Sequence, residues 1–190
     1  MNGLTLACGG KKEKRKEADF YPTPPEVTHA LMRFLDLSPR HVHEPACGDG
    51  SMSRVIESYG HTVLSTDLRE TGYGIGGKDF LFCDEPSEAI ITNPPFCLSE
   101  QFIRHALGLA PIVAMLMKTQ YWHSKKRSAL FHVFPPAYIL ALTWRPDFSG
   151  NPVAGSPTMD VIWTVWISGK NDTKYRLLDK ENAVCHQELI

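Results

Sequence analysis

Asn93, Pro94, Pro95 and Phe96 form the stretch whose residue types are best suited to chemistry, and we call these four residues the hook. Two successive prolines remove two backbone donors and fix two φ angles, and the first of them favours an extended conformation at Asn93. The Asn93 side chain and the Pro94 carbonyl can then accept the hydrogens of a planar amine or amide while Phe96 stacks on its face. A rigid turn without chemistry is the alternative interpretation of these four residues alone.

A glycine-containing turn upstream carries a second set of functional groups. Residues 44–50, which we call the glycine turn, read Glu-Pro-Ala-Cys-Gly-Asp-Gly and follow a short predicted strand at 41–44. A strand, a glycine-rich turn and a helix begin a nucleotide-binding doubly wound sheet. The position three after the last glycine is Ser53, which departs from the dinucleotide fingerprint. Glu44 and Asp49 make the turn acidic, so the pattern predicts a positively charged ligand rather than a pyrophosphate.

Two further carboxylates lie between these motifs. Asp67 ends a β-branched strand pattern at 62–66, about twenty residues after the glycine turn, where a carboxylate can bind both hydroxyls of a ribose. Asp79 could accept from an adenine amino group, with Phe80 or Leu81 against the ring. A helix cap or an ordinary turn residue is the alternative role for either aspartate.

The elements that must position these residues alternate between strand and helix patterns. Strand patterns occupy residues 41–44, 62–66, 89–92, 112–117, 137–142 and 159–167. Amphipathic helical stripes begin at Val27, Met52 and Phe102. The alternation predicts an α/β fold built on a mostly parallel sheet.

Composition narrows the class of protein. The chain has 190 residues with 43% hydrophobic content, enough for one well-filled α/β domain. Its net charge of −1 means that any nucleic-acid surface must be local. Five scattered cysteines without a C-x-x-C pair favour a reducing compartment and disfavour disulfides or a metal cluster. No apolar run approaches the ~20 residues of a membrane helix, so we expect a cytoplasmic protein without a membrane partner.

One segment combines aromatic and basic residues in the way that nucleic-acid surfaces do. Between residues 118 and 127 the sequence interleaves two adjacent aromatics with four bases. The predicted nucleic-acid contacts are Lys118, Tyr121, Trp122, Lys125, Lys126 and Arg127, joined by Arg145 from a Pro- and Gly-rich loop at 145–157. A solvated helix start with a partly buried tryptophan is the alternative.

The two motifs together resemble the S-adenosylmethionine-dependent amino methyltransferases. The closest resemblance is to the small phage- or prophage-type DNA adenine methyltransferases that act on the 6-amino group. The resemblance extends from residue 21 to residue 166, with both motifs in the expected order. It implies a class I, Rossmann-like three-layer sandwich whose seven-stranded, mostly parallel sheet has its last strand antiparallel.

The resemblance also assigns roles to residues. Asn93, Pro94, Pro95 and Phe96 would be catalytic, and S-adenosylmethionine would be the cofactor, with no metal. The predicted cofactor-binding residues are Tyr21, Thr23, Pro24, Glu44, Pro45, Ala46, Gly48, Asp49, Gly50, Asp67, Leu68, Asp79, Phe80 and Asn93. The expected division of the chain is a charged flexible arm at 1–18, the methyltransferase domain at 19–168 and a tail at 169–190 that could include a short strand.

The expected activity is therefore transfer of a methyl group to adenine in DNA, with the target base flipped into the hook. No stretch is long enough for the separate target-recognition domain of larger DNA methyltransferases, so relaxed specificity is expected. Methyltransferases of RNA adenine and of protein glutamine use similar hooks, and both remain alternatives. A non-catalytic nucleic-acid-binding module of the same fold is a third. A monomer or a weak dimer would fit the sequence equally.

Overall fold

The protein is described by a computed structural model that covers residues 22–38, 40–123, 125–148 and 159–180. Seven strands form one sheet between two layers of helices. The strands are β1 (His41–Glu44), β2 (Thr62–Ser65), β3 (Ala89–Thr92), β4 (Ile112–Lys118), β5 (Tyr138–Leu142), β6 (Val161–Ile167) and β7 (Lys174–Leu178). Their order across the sheet is β2-β1-β3-β4-β6-β5-β7. All pairs are parallel except those of β6, which is antiparallel to both β4 and β5.

Helices cover both faces of this sheet. They are α1 (Pro25–Leu35), α2 (Ser51–Ser58), α3 (Ser99–Leu109) and α4 (Lys125–Val133). Buried residues of α1 and α2 share one hydrophobic cluster with the sheet, and those of α3 and α4 share a second cluster. The predicted three-layer α/β class is therefore confirmed. In the described residues no helix is long and apolar enough to cross a membrane.

The two layers explain why the central strands read as continuous apolar runs. Successive side chains of a strand point to opposite faces, so a strand covered on both sides must be apolar at every position. In β3, Ile91 belongs to the cluster of α1 and α2, whereas Ile90 belongs to the cluster of α3 and α4. In β4, Leu116 and Met115 divide in the same way.

The sequence predicts that the last strand, at 159–167, is antiparallel. This segment forms β6, which is the antiparallel strand of the sheet. Another strand follows it: residues 174–178, within the segment that the sequence assigns to a tail, form β7 parallel to β5 at the edge of the sheet. Leu178 is its one buried residue and packs with the α1 cluster. The charged arm at 1–18 and residues 181–190 lie outside the described residues.

The topology places the functional motifs at one edge. The chain passes from β1 outward to β2 and then crosses to β3 on the other side of β1. In open α/β sheets ligands bind outside the carboxyl ends of the strands, at such a switch point. Glu44 ends β1, Asp67 follows β2 and Asn93 follows β3, so the turns that carry them meet at this point.

Candidate active site

One pocket contains both sequence motifs. Its walls include Glu44, Gly48 and Asp49 from the glycine turn and residues 93–96 of the hook. Thr23, which precedes α1, closes the pocket beside the hook. Two segments that lie far apart in the chain therefore form one site. Of the other predicted residues, Ala46 lines the pocket as well, whereas Tyr21 lies outside the described residues.

The glycine turn is shaped by two positive φ angles. Gly48 has φ 54° and Gly50 has φ 80°, values that residues with a Cβ rarely adopt. The Gly50 amide donates to the Cys47 carbonyl at 2.8 Å, and α2 begins at the next residue. Asp49 accepts from both the amide and the hydroxyl of Ser51, at 3.0 and 2.7 Å. The turn therefore presents its backbone to the pocket at the start of a helix.

Glu44 is a buried carboxyl group at the base of the pocket. Its Oε2 accepts a short hydrogen bond from the Ser53 hydroxyl, which in turn lies 2.7 Å from the Ser65 hydroxyl. Burial raises the pKa of Glu44 from 4.5 to about 8, and the charges of Asp49 and Asp67 add to this effect. In the free protein at neutral pH, Glu44 is therefore mostly protonated.

Asp67 connects the end of β2 to the glycine turn. Its Oδ2 accepts from the Gly48 amide at 3.0 Å, and its Oδ1 accepts from the Arg69 amide at 2.8 Å. The Arg69 guanidinium also contacts Oδ1, at 3.1 Å, and lines the pocket. Arg69 is a pocket residue that the sequence patterns do not predict, although its position two residues after Asp67 could have indicated this contact. Asp67 itself is not part of the pocket lining, and the residues that it binds, Gly48 and Arg69, are.

The hook holds its functional groups in a defined arrangement. Asn93 Nδ2 donates to Thr23 Oγ1 at 3.1 Å, which leaves Asn93 Oδ1 and the Pro94 carbonyl as the acceptors of the hook. A short 3₁₀ turn, Phe96–Leu98, begins at the aromatic residue and is closed by a 2.8 Å hydrogen bond from the Leu98 amide to the Pro95 carbonyl. The ammonium group of Lys118, at the end of β4, lies 4.3 Å from the centroid of the Phe96 ring.

The remaining predicted cofactor residues lie away from the pocket walls. Asp79 caps the 3₁₀ turn Phe80–Phe82 by accepting from the Leu81 amide at 3.0 Å. The Phe80 ring is buried against Phe102 and His105 in the core. Pro24, Pro45 and Gly50 support the turns around the pocket, and Leu68 is 52% exposed beyond β2.

The aromatic residues after β4 are packed rather than free. Tyr121 is 6% exposed, and the Arg127 guanidinium lies 3.9 Å from its ring centroid and donates to its carbonyl at 3.1 Å. The Trp122 ring stacks on Phe131 of α4 with centroids 3.8 Å apart. These rings form part of the core beside α4.

The other predicted basic contacts differ in their surroundings. Arg145 forms an exposed ion pair with Asp160 at 2.8 Å. Lys125 is exposed at the start of α4, and the side chain of Lys126 lies outside the described part of the chain. Lys118 is the predicted contact that the structure brings to the hook. Within the described residues no group of three or more His, Cys, Asp or Glu side chains could hold a metal ion.

The fold is that of the Rossmann-like class I methyltransferases. The chain is similar to a methyltransferase subunit of a type I restriction-modification system from Streptococcus thermophilus, with a TM-score of 0.66 and 11% identity over 83% of this chain and 47% of that one. It is also similar to a candidate RNA methyltransferase from Pyrococcus horikoshii, with a TM-score of 0.63 and 15% identity over 84% of this chain and 92% of that one.

A third similar structure is a protein from Listeria monocytogenes described as a candidate class I S-adenosylmethionine-dependent methyltransferase. The TM-score is 0.60, with 12% identity over 83% of this chain and 65% of that one. The chain spans about half the length of the restriction-modification subunit. At these identities the similarity shows the fold. No protein-family model and no curated protein matches the sequence.

Proposed function

We propose that this protein is an S-adenosylmethionine-dependent methyltransferase that modifies the 6-amino group of adenine in DNA. The observation that carries the proposal is the shared pocket, in which the acidic glycine turn faces the Asn93-Pro94-Pro95-Phe96 hook. A cofactor turn alone would fit many nucleotide-binding proteins. Its combination with a rigid pair of acceptors fits transfer of a group to a planar amine.

The residues of the pocket fit S-adenosylmethionine by charge and shape. The cofactor is a sulfonium cation and supplies an electrophilic methyl group when bound. Asp49 favours positive charge in the pocket, as does Glu44 once it has lost its proton, and the glycine backbone allows a close approach. Asp67 follows β2, where doubly wound folds carry a ribose-binding carboxylate, and the Gly48 amide and Arg69 hold it there.

The hook would activate the acceptor by hydrogen bonding and position. The lone pair of an exocyclic adenine nitrogen is delocalised into the ring, which makes the nitrogen a poor nucleophile. Asn93 Oδ1 and the Pro94 carbonyl would accept hydrogen bonds from its two N–H groups and so direct the nitrogen lone pair toward the methyl group. These preorganised acceptors stabilise the positive charge that develops on nitrogen, without a strong base. Phe96 would stack on the base, which contributes about 1–3 kcal/mol.

Lys118 supports a nucleic acid over a peptide as the substrate. Its ammonium group, at the end of β4, lies over one face of the Phe96 ring, and a base stacked on the other face would bring its phosphate near this charge. A glutamine side chain of a protein substrate carries no phosphate for Lys118 to contact. A base inside a duplex cannot reach the pocket, so duplex DNA would need base flipping. RNA adenine is the second candidate substrate, because one of the similar structures is described as a candidate RNA methyltransferase.

The test is methyl transfer from radiolabelled S-adenosylmethionine to duplex DNA, single-stranded DNA, total RNA and protein in parallel. We expect label on DNA that digests to 6-methyladenine. Label only on RNA or protein would keep the pocket chemistry and overturn the substrate. Cofactor binding without label on any substrate would favour the non-catalytic module.

Two variants connect the activity to the hook. Asn93→Ala should abolish transfer and leave the cofactor dissociation constant within about twofold, because the amide contacts the acceptor. Asn171→Ala, an exposed change between β6 and β7, is the matched control and should retain activity. Loss of both cofactor binding and transfer in Asn93→Ala would contradict this division of roles.

A further inference from the structure

We infer that Thr23 is a positioning residue that holds the Asn93 amide with its oxygen toward the acceptor nitrogen. The resemblance assigns Thr23 only to the cofactor pocket, whereas the structure gives its hydroxyl a partner in the hook. Asn93 Nδ2 donates to Thr23 Oγ1 at 3.1 Å, across 70 positions of sequence. The inference rests on the proposed function, because it assigns a purpose to the orientation of the amide.

The surroundings of Thr23 make its hydroxyl a fixed partner. Thr23 is 6% exposed and precedes Pro24 and Pro25, where α1 begins. Two successive prolines restrict the backbone on the carboxyl side of Thr23, and the first of them favours an extended conformation at Thr23 itself. The hook is also stiffened by Pro94 and Pro95. The hydrogen bond therefore joins two rigid segments, one at the start of α1 and one after β3.

The orientation of an asparagine amide decides what it offers to a substrate. One end of the amide accepts hydrogen bonds and the other donates them, and the two ends have almost the same shape. An acceptor amine donates hydrogens, so only the oxygen can bind it. When Nδ2 points to Thr23, one of its two hydrogens is satisfied within the protein and Oδ1 is left for the substrate. Without the Thr23 hydroxyl, the outward oxygen would leave Nδ2 without its protein acceptor in a part-buried position, which is costly.

The neighbouring helix contains a matched control. Thr28 of α1 is also a buried threonine, and its hydroxyl has no hydrogen-bond partner among the described residues. A threonine-to-valine change at either position keeps the shape of the side chain and removes one hydroxyl. Only the change at position 23 removes a partner of the hook.

The first test compares the kinetics of Thr23→Val, Thr23→Ser and Thr28→Val on the substrate that the protein methylates. Thr23→Val should lower kcat at least about tenfold, because the reacting groups lose their alignment. The KM for nucleic acid and the cofactor dissociation constant should stay within about twofold. Thr23→Ser keeps the hydroxyl and should restore most of kcat, and Thr28→Val should resemble the wild type. An unchanged kcat in Thr23→Val, or a weakened cofactor affinity with full kcat at saturation, would overturn the inference.

The second test does not depend on activity and so separates this inference from the proposed function. The side-chain amide signals of ¹⁵N-labelled protein include those of Asn93, identified by their loss in Asn93→Ala. In the wild type and in Thr23→Ser, one amide hydrogen should exchange slowly with water because Thr23 Oγ1 accepts it. In Thr23→Val the exchange should become fast. Equal exchange in wild type and Thr23→Val would show that the bond does not hold the amide, whatever substrate the protein uses.

Discussion

At the scale of single residues, Glu44 is the group whose state depends most on what the pocket contains. Burial raises its pKa to about 8, so the free protein holds a proton there at neutral pH. A cation in the pocket favours the ionised carboxylate and lowers this pKa again. Ligand charge and proton binding are therefore coupled at this residue, and the coupling can be measured without any methyl transfer.

We predict that the protein binds S-adenosylmethionine more tightly as pH rises from about 6 toward 8, because binding must release the Glu44 proton. S-Adenosylhomocysteine lacks the sulfonium charge and should show a weaker dependence. The ratio of the two dissociation constants, measured by calorimetry across this range, isolates the effect. In Glu44→Gln the ratio should be independent of pH. A constant ratio in the wild type would contradict the assignment of a cation to this pocket.

The same group should make stability depend on pH. The folded pKa of Glu44, about 8, is above its ordinary value of 4.5. Between these values the folded protein holds a proton that the unfolded chain has lost, so the free energy of unfolding falls as pH rises. The contribution is complete below about pH 4.5 and lost above about pH 8, with a slope of at most about 1.4 kcal/mol per pH unit.

Urea denaturation of the wild type and Glu44→Gln at several pH values would measure this slope. The range above pH 6.5 is the informative one. Burial lowers the pKa of His43 from 6.5 to about 4, so that group acts with the opposite sign only below pH 6.5. The wild type should lose stability relative to Glu44→Gln as pH approaches 8. Parallel curves for the two proteins would show that Glu44 is ionised in the folded state.

At the scale of elements, the contact between the glycine turn and the loop after β2 determines which residues the turn tolerates. A Cβ on Gly50 would overlap the Tyr73 ring, which lies under the guanidinium of Arg54 at 4.5 Å from its centroid. Gly72 has nearly the same φ, 82° against 80° for Gly50, yet no heavy atom of the described residues, apart from Gly72 and its two chain neighbours, lies within 4 Å of its Cβ position. The two glycines therefore separate backbone strain from overlap.

We predict that Gly72→Ala costs about 1–2 kcal/mol of unfolding free energy, the usual cost of a left-handed conformation with a Cβ. Gly50→Ala should cost clearly more, because the Tyr73 ring must also move. In a Tyr73→Ala background the two glycine changes should become similar. Chemical denaturation of the five variants provides the comparison. Equal losses of unfolding free energy for Gly50→Ala and Gly72→Ala in the wild-type background would show that the Tyr73 ring moves away at no measurable cost.

The elements also show where prediction from the sequence ends. Periodicity predicted α1 to α3 and the strands up to β6, because each of them buries a face that its own residues define. It could not place Phe80, whose partners His43, Phe102 and His105 come from β1 and α3. Nor could it show that Tyr121 is buried under Arg127. In both cases the local pattern fits exposure and burial equally, and distant residues decide between them.

At the scale of the whole molecule, charge is arranged unevenly in a nearly neutral protein. The net charge is −1, and the pocket is lined by the acidic residues Glu44 and Asp49 together with Arg69, which is paired with Asp67. Lys118 stands at the carboxyl end of β4 beside the hook, and no salt bridge of the described residues includes it. Lys118 is therefore placed to attract a polyanion at the hook, and its share of that attraction should be measurable.

We predict that Lys118→Met weakens binding to single-stranded DNA and reduces the slope of log affinity against log salt by about 0.7, the value for one phosphate contact. Lys174→Met makes the same charge change at the start of β7. Strands β4, β5 and β7 run in the same direction, so the start of β7 lies at the edge of the sheet opposite to the carboxyl end of β4, where Lys118 lies. Lys174→Met should alter neither affinity nor slope. Fluorescence anisotropy at several salt concentrations gives both quantities. Equal effects of the two variants would mean that binding reflects overall charge, and that Lys118 contacts no phosphate beside the hook.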